Sequence, residues 1–379
     1  MKYLFYLVAF FFMGCAEKTP PKPNPLTQIM QSQHKSVLPV MQNLEAHDIQ
    51  IIYTEIQKEN GKVSFLDHHF QEDENHYFYP ASTVKLPVAV LALEFLDNHL
   101  IVNPTTPYLT ERDTLVHTIA ADLRQIFAVS DNAAYNRLYD LLGRDYINEK
   151  LNKKGLNARI AHRLETDNPA DANRAGLQFI VISDTITLSA GKDAPVEKLK
   201  LANIEKGKGY LRDSLLINEP MDFSEKNYFP IATQHELMKR IFFPNEFKEE
   251  ETFALSEESR ALLLKEMHIV PRLNGYQEWE VWDSFGKFLM FGDSKGRLPG
   301  SFKYYNKAGY AYGTLTDTAY IVDSQNNIEF MLTATILVNE NEIYNDNLYE
   351  YGAIGIPFLG QLGREIYQVE LQKIRNEKL

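Results

Sequence analysis

The stretch Tyr79-Pro80-Ala81-Ser82-Thr83-Val84-Lys85 precedes an apolar run from Leu86 to Leu96, and the rest of the chain is organised around it. Ser and Lys three positions apart at the start of a helix share one face, so the amine of Lys85 can reach the hydroxyl of Ser82. A serine hydroxyl is a weak nucleophile until a base takes its proton, and a desolvated lysine can be that base. The free N–H groups of a first helical turn also suit an oxyanion. The stretch therefore predicts a nucleophilic Ser82 activated by Lys85.

The spacing alone is not specific, because Ser-x-x-Lys also occurs at Ser32, Ser189 and Ser284. The surroundings distinguish Ser82. Two β-rich segments, 51–56 and 63–70, precede it and are separated by a segment containing Asn60-Gly61, a strong hairpin signal. The helix after it is apolar nearly all round, which predicts the buried central helix of the domain. Pro87 lacks a backbone donor and fits this helix only if the helix begins close to Ser82.

Composition and charge bound the class of protein. The chain has 379 residues, 44% hydrophobic and 24% charged, which is ordinary for a globular enzyme with a sizeable core. A net charge of -12 and a pI near 5.4, without a Lys/Arg cluster in the sequence, argue against a nucleic-acid partner. The sequence suggests no cofactor, and we expect a monomer.

The first residues predict export. Lys2 is followed by an apolar segment, Tyr3 to Met13, that is too short to span a bilayer as a mature helix, and then by Gly14-Cys15. This pattern resembles a bacterial lipoprotein signal, which implies cleavage before Cys15 and lipidation of that residue. We expect a signal peptide at 1–14, a Pro-rich tether at 15–28 and a lipid anchor in the cell envelope, periplasmic or on the outer membrane. A simple secretory signal or an uncleaved anchor is the alternative. Cys15 is the only cysteine, so no disulfide is possible within the chain.

The order of the remaining elements predicts an α+β fold. Helical patterns flank Ser130-Asp131-Asn132, and these three residues are also typical of a plain helix N-cap at a turn. Short strand-like runs and a Lys/Gly-rich piece follow, which we interpret as an insertion or lid at about 183–230. Three strand-like segments and a terminal helix close the chain, at 302–306, 313–323, 328–337 and 347–374. We therefore expect an antiparallel sheet built from N- and C-terminal segments, with an all-helical lobe interposed.

Three motifs in this order carry a family resemblance. Ser82-Thr83-Val84-Lys85, Ser130-Asp131-Asn132 and Lys307-Ala308-Gly309 resemble the Ser-x-x-Lys, Ser-Asp-Asn and Lys-Thr-Gly motifs of the penicillin-recognising serine hydrolases, most closely class A β-lactamases. The resemblance covers roughly residues 30–370 and implies a β-lactamase/transpeptidase-like domain, for which we expect the bounds 29–375.

The resemblance implies a role for each motif residue. Ser82 would become acylated with Lys85 as the base or its partner, and Ser130 would pass a proton to the leaving nitrogen. Two further residues would bind the substrate: Asn132 through its amide and Lys307 through positive potential. In the strand of the third motif, Gly309 would also contact substrate, and the N–H groups of Ser82 and Tyr310 would form the oxyanion hole.

Departures from the family pattern concern substrate recognition and the step after acylation. Ala308 lacks the hydroxyl usual in the third motif, and Tyr310 is bulky where a small residue is common, which weakens the case for recognition of a β-lactam carboxylate. The resemblance implies Glu165 as the deacylating base, with Asp167 or Asp171 as alternatives. The sequence thus leaves four functions open: a β-lactamase, a peptidoglycan D,D-peptidase or other amidase or esterase, a sensor that stays acylated, and an inactive scaffold. The presence of all four residues Ser82, Lys85, Ser130 and Lys307 disfavours the inactive scaffold.

Two further patterns have ordinary explanations. Gly292-Asp293-Ser294-Lys295-Gly296 matches a Gly-x-Ser-x-Gly elbow, but the residues after it cannot open the helix that such an elbow requires. A polar cluster between Asp67 and His76 invites a metal interpretation, yet it lacks a known ligand spacing and is better explained as a solvated loop.

Overall fold

The computed structural model describes residues 24–99, 101–182, 184–277 and 281–377. The predicted signal peptide and Cys15 lie outside the described residues. The helices are α1 Pro25–Ile29, α2 Leu38–Gln42, α3 Leu44–His47, α4 Lys85–His99, α5 Ile119–Val129, α6 Asn132–Leu142, α7 Arg144–Lys153, α8 Ile231–Phe242, α9 Glu257–Met267, α10 Phe288–Phe291 and α11 Ile356–Glu377. The strands are β1 Gln50–Glu59, β2 Lys62–Phe70, β3 Tyr108–Thr110, β4 Asn173–Arg174, β5 Leu177–Val181, β6 Asp184–Leu188, β7 Gly191–Lys192, β8 Glu205–Lys206, β9 Gly209–Arg212, β10 Leu215–Ile217, β11 Met221–Asp222, β12 Phe302–Ala311, β13 Thr314–Asp323, β14 Ile328–Leu337 and β15 Ile343–Tyr344.

The main sheet joins the two ends of the chain, as predicted. Its five strands run in the order β12-β13-β14-β1-β2, and every neighbouring pair is antiparallel. The β1–β2 hairpin turns at Asn60 and Gly61, whose φ angles of 51° and 78° suit a tight turn that matches the twist of the strands. β12 is an edge strand, so it can present backbone groups to a neighbouring cleft.

Two hydrophobic cores lie on opposite faces of this sheet. One is formed around α4 and includes side chains of α5, α6, α7, α8 and α9. The other packs α11 and α1 against the sheet. Every residue of α4 from Lys85 to Glu94 is buried, which confirms the predicted central helix. Pro87 is the third residue of α4, where a missing N–H costs no intrahelical hydrogen bond.

The predicted tether is wrong at its C-terminal end. Residues 25–29 form α1, whose Leu26 is fully buried in the core with α11, and Asn24 caps this helix by accepting a hydrogen bond from the N–H of Leu26 at 2.9 Å. Pro25 is tolerated at the first helical position because its N–H would have no partner there. Residues 25–28 therefore belong to the folded domain.

The region predicted as an insertion or lid, about 183–230, contains short strands. The strands β6 to β11 all lie in it, and α8 begins immediately after it, at Ile231. Phe223 packs with Tyr77, Tyr79 and Tyr344 in a small aromatic cluster. The insertion is thereby attached to the segment that leads into Ser82.

Within the described residues, no helix is long and apolar enough to cross a membrane.

Candidate active site

Ser82 lies in a 3₁₀ turn, Ala81–Val84, that leads directly into α4. The residue before it, Ala81, has a φ of 47°, which is unusual for a residue with a side chain and is typical of strained functional turns. Thr83 stabilises the turn by donating from its N–H and its hydroxyl to the carbonyl of Pro80, at 3.2 and 2.7 Å. Ser82 itself is partly exposed, at the base of a cleft.

Gly309 allows the edge strand β12 to approach this turn. A Cβ atom at position 309 would lie 2.5 Å from the backbone nitrogen of Ser82 and 2.9 Å from that of Thr83. Such distances are too short for a side chain, and the atoms in the way are backbone atoms that cannot swing aside. The third motif therefore requires glycine because the strand and the nucleophile turn are in direct backbone contact.

Lys85 is fully buried at the start of α4. Its Nζ donates hydrogen bonds to the carbonyl and the hydroxyl of Ser130, the latter at 3.2 Å, and to Oδ1 of Asn132. Burial, and then the neighbouring Lys307, hold the pKa of Lys85 well below its usual range. The sequence predicted a direct contact between Lys85 and Ser82. In the described part of the chain, no hydrogen bond links Lys85 Nζ to Ser82.

The Ser130-Asp131-Asn132 motif is both a helix cap and part of the site. Ser130 ends α5 with a φ of 58°, and the Asp131 side chain caps α6 by accepting from the N–H of Ala134 at 2.6 Å. This cap turns the chain so that Ser130 and Asn132 both face Lys85. The two interpretations of the motif are therefore compatible.

Lys307, on β12, joins Lys85 and Ser130 in a polar group, called here the floor, that reaches the cleft through Asn132. Its Nζ donates to the hydroxyl of Ser130 at 2.9 Å and to the carbonyl of Ala308. Burial lowers the pKa of Lys307 to about 7. Ser130 Oγ is thus shared by two buried amines, Lys85 and Lys307, and it is suited to relay protons between them and a substrate.

Beneath Lys307 lies a polar network that sequence reasoning missed. Asp317, fully buried, accepts from the hydroxyl of Tyr304 at 2.8 Å and the amide of Asn306 at 2.7 Å. Lys287 donates to Oδ1 of Asn306 at 3.1 Å, and burial lowers the pKa of Lys287 to about 8. Burial also raises the pKa of Asp317. The only sequence signal was one of the other Ser-x-x-Lys spacings, which begins at Ser284 and ends at Lys287.

The loop that carries Glu165 is anchored by the two residues before it. Arg163 donates to Oδ1 of Asp140 at 2.9 Å, while Asn136 accepts from the N–H of Leu164 at 2.9 Å and donates to its carbonyl at 2.8 Å. Glu165 follows with a φ of 50° and is exposed. It lines the cleft beside Ser82, whereas the alternatives Asp167 and Asp171 do not.

The cleft above Ser82 has a volume of about 520 Å³. Tyrosine and asparagine side chains dominate its lining, and Glu165 is the one charged residue among them. Tyr310 is 51% exposed there. The lining residues are Tyr79, Ala81, Ser82, Asn132, Leu164, Glu165, Thr166, Pro169, Tyr310, Ala311, Tyr312, Asn345, Asn347, Tyr349 and Tyr351. The contribution of residues 345–351 was not anticipated from the sequence.

Two patterns weighed in the sequence have structural explanations. Phe288–Phe291, the segment before Gly292, forms an irregular turn, in which Met290 has a φ of 80°, and not the strand that a nucleophile elbow needs. In the polar cluster between residues 67 and 76, Asp67 pairs with Lys239 at 2.6 Å, and His76 pairs with Asp48 at 3.2 Å. Among the described residues, no group of three or more acidic, histidine or cysteine side chains is arranged to hold a metal ion.

Comparison with known proteins agrees with this geometry. Residues 41–190 match the model of the β-lactamase enzyme family. No curated protein matches the chain. A β-lactamase from Burkholderia vietnamiensis is similar in structure, with a TM-score of 0.52 and 11% identity over 94% of this chain and 99% of that protein. PBP-A is similar with a TM-score of 0.50 and 17% identity, over 96% of this chain and 100% of PBP-A.

A third similar structure is a point mutant of PBP-A as an acyl-enzyme complex with penicillin G, with a TM-score of 0.51 and 16% identity over 95% of this chain and 100% of that protein. The chain therefore has the fold of the penicillin-recognising serine hydrolases, a β-lactamase/transpeptidase-like fold with an antiparallel sheet flanked by helices. The fold predicted from the three motifs is confirmed.

Proposed function

We propose that this protein is a serine hydrolase that forms an acyl-enzyme at Ser82 and acts on a β-lactam or a related amide. The observation that carries the proposal is the shared hydroxyl of Ser130, which accepts hydrogen bonds from both Lys85 and Lys307 beside the nucleophile turn. Three residues distant in sequence and capable of moving protons converge at the base of one cleft. A purely structural role does not account for two buried lysines at one hydroxyl, because burying a second cation costs free energy.

Acylation follows from this geometry. The neutral amine of Lys85 would accept the proton of Ser82 Oγ, directly or through Ser130, as Oγ attacks the substrate carbonyl carbon. The carbonyl oxygen would become an oxyanion bound by the N–H groups of Ser82 and Tyr310. Ser130 would then donate its proton to the substrate nitrogen as the C–N bond breaks, and it would be reprotonated from Lys85. The lowered pKa of Lys85 supports this role, because a permanently charged amine cannot act as a base.

Hydrolysis of the acyl-enzyme would use Glu165 to activate water. The support is that Glu165 is the sole carboxylate among the residues that line the cleft. Its side chain is exposed, and we expect it to approach the ester through a water molecule.

A second candidate is a D,D-peptidase or another amidase of the same fold. A specific observation favours it. Asn136 holds the backbone of Leu164, which lines the cleft, whereas within the described parts of the chain no side chain forms a hydrogen bond with the next residue, Glu165. A weakly positioned base would slow hydrolysis of the acyl-enzyme. The acyl-enzyme would then last long enough to transfer its acyl group to an amine acceptor or to release its product slowly. Similarity to PBP-A over nearly the whole chain agrees with this candidate at the level of fold.

Mass spectrometry of the exported domain with a penicillin and a cephalosporin tests these proposals. Rapid turnover through a Ser82 adduct supports the β-lactamase, and a persistent adduct supports the slow candidate or a sensor. No adduct with either compound would overturn β-lactam recognition and leave a D,D-peptidase or amidase with another substrate. Ser82→Ala should abolish the adduct, and Ser189→Ala is the matched control, because Ser189 begins another Ser-x-x-Lys spacing and is exposed.

We also propose that the protein is lipid-anchored in the bacterial cell envelope through Cys15. The support is the apolar segment before Gly14-Cys15 and the start of the folded domain soon after, at Pro25. Labelling of whole cells with a fatty-acid probe should mark the wild type and not Cys15→Ala. Equal labelling of both would rule out this anchor.

A further inference from the structure

The cleft above Ser82 has one wall that the proposed chemistry does not use. It consists of five tyrosines, called here the tyrosine wall: Tyr79, Tyr310, Tyr312, Tyr349 and Tyr351. Two pairs of rings meet edge to face, with 5.0 Å between the ring centres of Tyr79 and Tyr312 and 5.2 Å between those of Tyr310 and Tyr351. Tyr349 packs at a tilt on Tyr351, with 5.3 Å between the ring centres. The wall is therefore an extended aromatic surface next to the nucleophile.

Backbone hydrogen bonds hold the wall in place. The hydroxyl of Tyr349 accepts from the N–H of Asn345 at 2.7 Å, and the hydroxyl of Tyr351 accepts from the N–H of Gly313 at 2.8 Å. Rings fixed in this way lose little entropy when a ligand binds. These two rings of the wall, Tyr349 and Tyr351, are therefore preorganised before a substrate binds.

An aromatic surface can bind ligands of several kinds, and the charge of the cleft determines which ligand charge is favoured. Glu165 is the one charged residue among the lining residues, and it is exposed. Aromatic ring faces attract ammonium groups, and a carboxylate nearby adds to that attraction. One face of Tyr312 is already occupied, since the ammonium of Lys226 lies 5.6 Å from its ring centre, so a substrate ammonium would contact the other rings of the wall. Negative charge on a substrate would instead be directed to Lys307 at the floor.

We propose that the tyrosine wall and Glu165 form a subsite for a positively charged amine carried by the substrate. The preferred substrate class is then an amide or lactam whose acyl portion bears a free ammonium group. This inference rests on the proposed acylation of Ser82 and specifies which substrates that reaction favours.

The test compares acylation rates of two penicillins that differ only at one amine. One carries a free amine on its acyl side chain, and the other is the same compound with the amine acetylated. Stopped-flow or quenched-flow mass spectrometry measures the rate constant of Ser82 acylation, which precedes any step that needs Glu165 as a base. We expect the free amine to acylate about tenfold faster at low concentration and neutral pH, and the advantage to shrink at high salt.

Variants separate the subsite from the chemistry. In Glu165→Gln and in Tyr310→Leu, the ratio of the two acylation rate constants should fall toward one. Asp167→Asn is the matched control, because Asp167 is exposed on the same loop but does not line the cleft, and it should keep the ratio. Equal rates for the two penicillins in the wild type would overturn the subsite alone. No acylation by either penicillin or by the corresponding acyl-D-alanyl thioesters would overturn the proposed function and the subsite with it.

Discussion

The floor and the rim of the cleft differ in how strongly the fold determines them. On the floor, Lys85, Ser130 and Lys307 are joined by hydrogen bonds, and both lysines are buried. At the rim, Glu165 and Tyr310 are exposed, and Glu165 follows an anchored residue without sharing its anchor. In the proposed function, the floor would perform one reaction on many substrates, whereas the rim would select the substrate and control the fate of the acyl-enzyme.

The strongest test of the floor is Lys85→Ala. Loss of the base should lower the rate constant of Ser82 acylation by about 10⁴ for every substrate, since general base catalysis contributes up to that factor. Acylation kinetics by mass spectrometry measure it. Lys192→Ala, the lysine of the Ser189 spacing, should behave as the wild type. An unchanged rate in Lys85→Ala would mean that the base is another residue.

Glu165→Gln tests the rim. If this carboxylate activates the hydrolytic water, the rate constant of deacylation should fall by about 10³, so that the acyl-enzyme accumulates. Trapping followed by mass spectrometry gives the rate. The same measurement on Asp167→Asn and Asp171→Asn tests the two alternative candidates for the deacylating base. Normal deacylation in Glu165→Gln would exclude Glu165 as the base and point to Asp167, Asp171 or another group.

Gly309→Ala tests the contact between the strand and the nucleophile turn. The added Cβ would lie 2.5 Å from the nitrogen of Ser82, so the turn must shift. We expect a roughly 10²-fold slower acylation, because small misplacements of reacting groups have that effect, together with a loss of about 1–3 kcal/mol in the free energy of unfolding. Gly300→Ala is the matched control, since a Cβ there meets no atom within 4 Å. Wild-type acylation in Gly309→Ala would contradict the proposed packing.

The smallest expected effect concerns pH and the network under the floor. Burial lowers the pKa of Lys287 to about 8, below the usual value for an unfolded lysine. Between pH 8 and about 10 the unfolded chain binds more protons at this position, so its contribution to stability rises with pH. We expect urea unfolding to show that the free energy of unfolding rises less between pH 7 and pH 9.5 in Lys287→Met than in the wild type, by about 2 kcal/mol. An identical rise in both would show that Lys287 is not the group responsible, and Lys192→Met, on the surface, controls for loss of charge.

Much of the floor was predictable because its residues are marked by local patterns. The hairpin turn at Asn60-Gly61, the apolar helix after Ser82 and the order of the three motifs each have a short-range cause, and each predicted element is found. The contact of Lys85 was predicted less well. Its amine contacts Ser130, which ends α5, and Asn132, which begins α6, because both side chains offer oxygen atoms to a buried cation.

Local sequence patterns did not predict the rim of the cleft or the polar network below Lys307. Asp317 is an ordinary strand residue in the sequence, and it becomes a buried acceptor only because β12, β13 and the turn at Phe288 meet around it. Tyr349 and Tyr351 line the cleft because the segment before α11 returns to the edge of β12. Such contacts join residues far apart in the chain.

The sequence by itself predicted the α+β architecture, which the structure confirms, and it supplied the prediction that Ser82 is a nucleophile accompanied by Lys85 and Lys307, since helix and strand periodicity and short motifs can be recognised along the chain. Only the tertiary structure decided which groups share the hydroxyl of Ser130, why position 309 must be glycine, and that tyrosines and one carboxylate surround Ser82. The physical reason is that burial, hydrogen-bond partners and steric exclusion depend on which distant segments pack together, and spacing along the chain does not encode them.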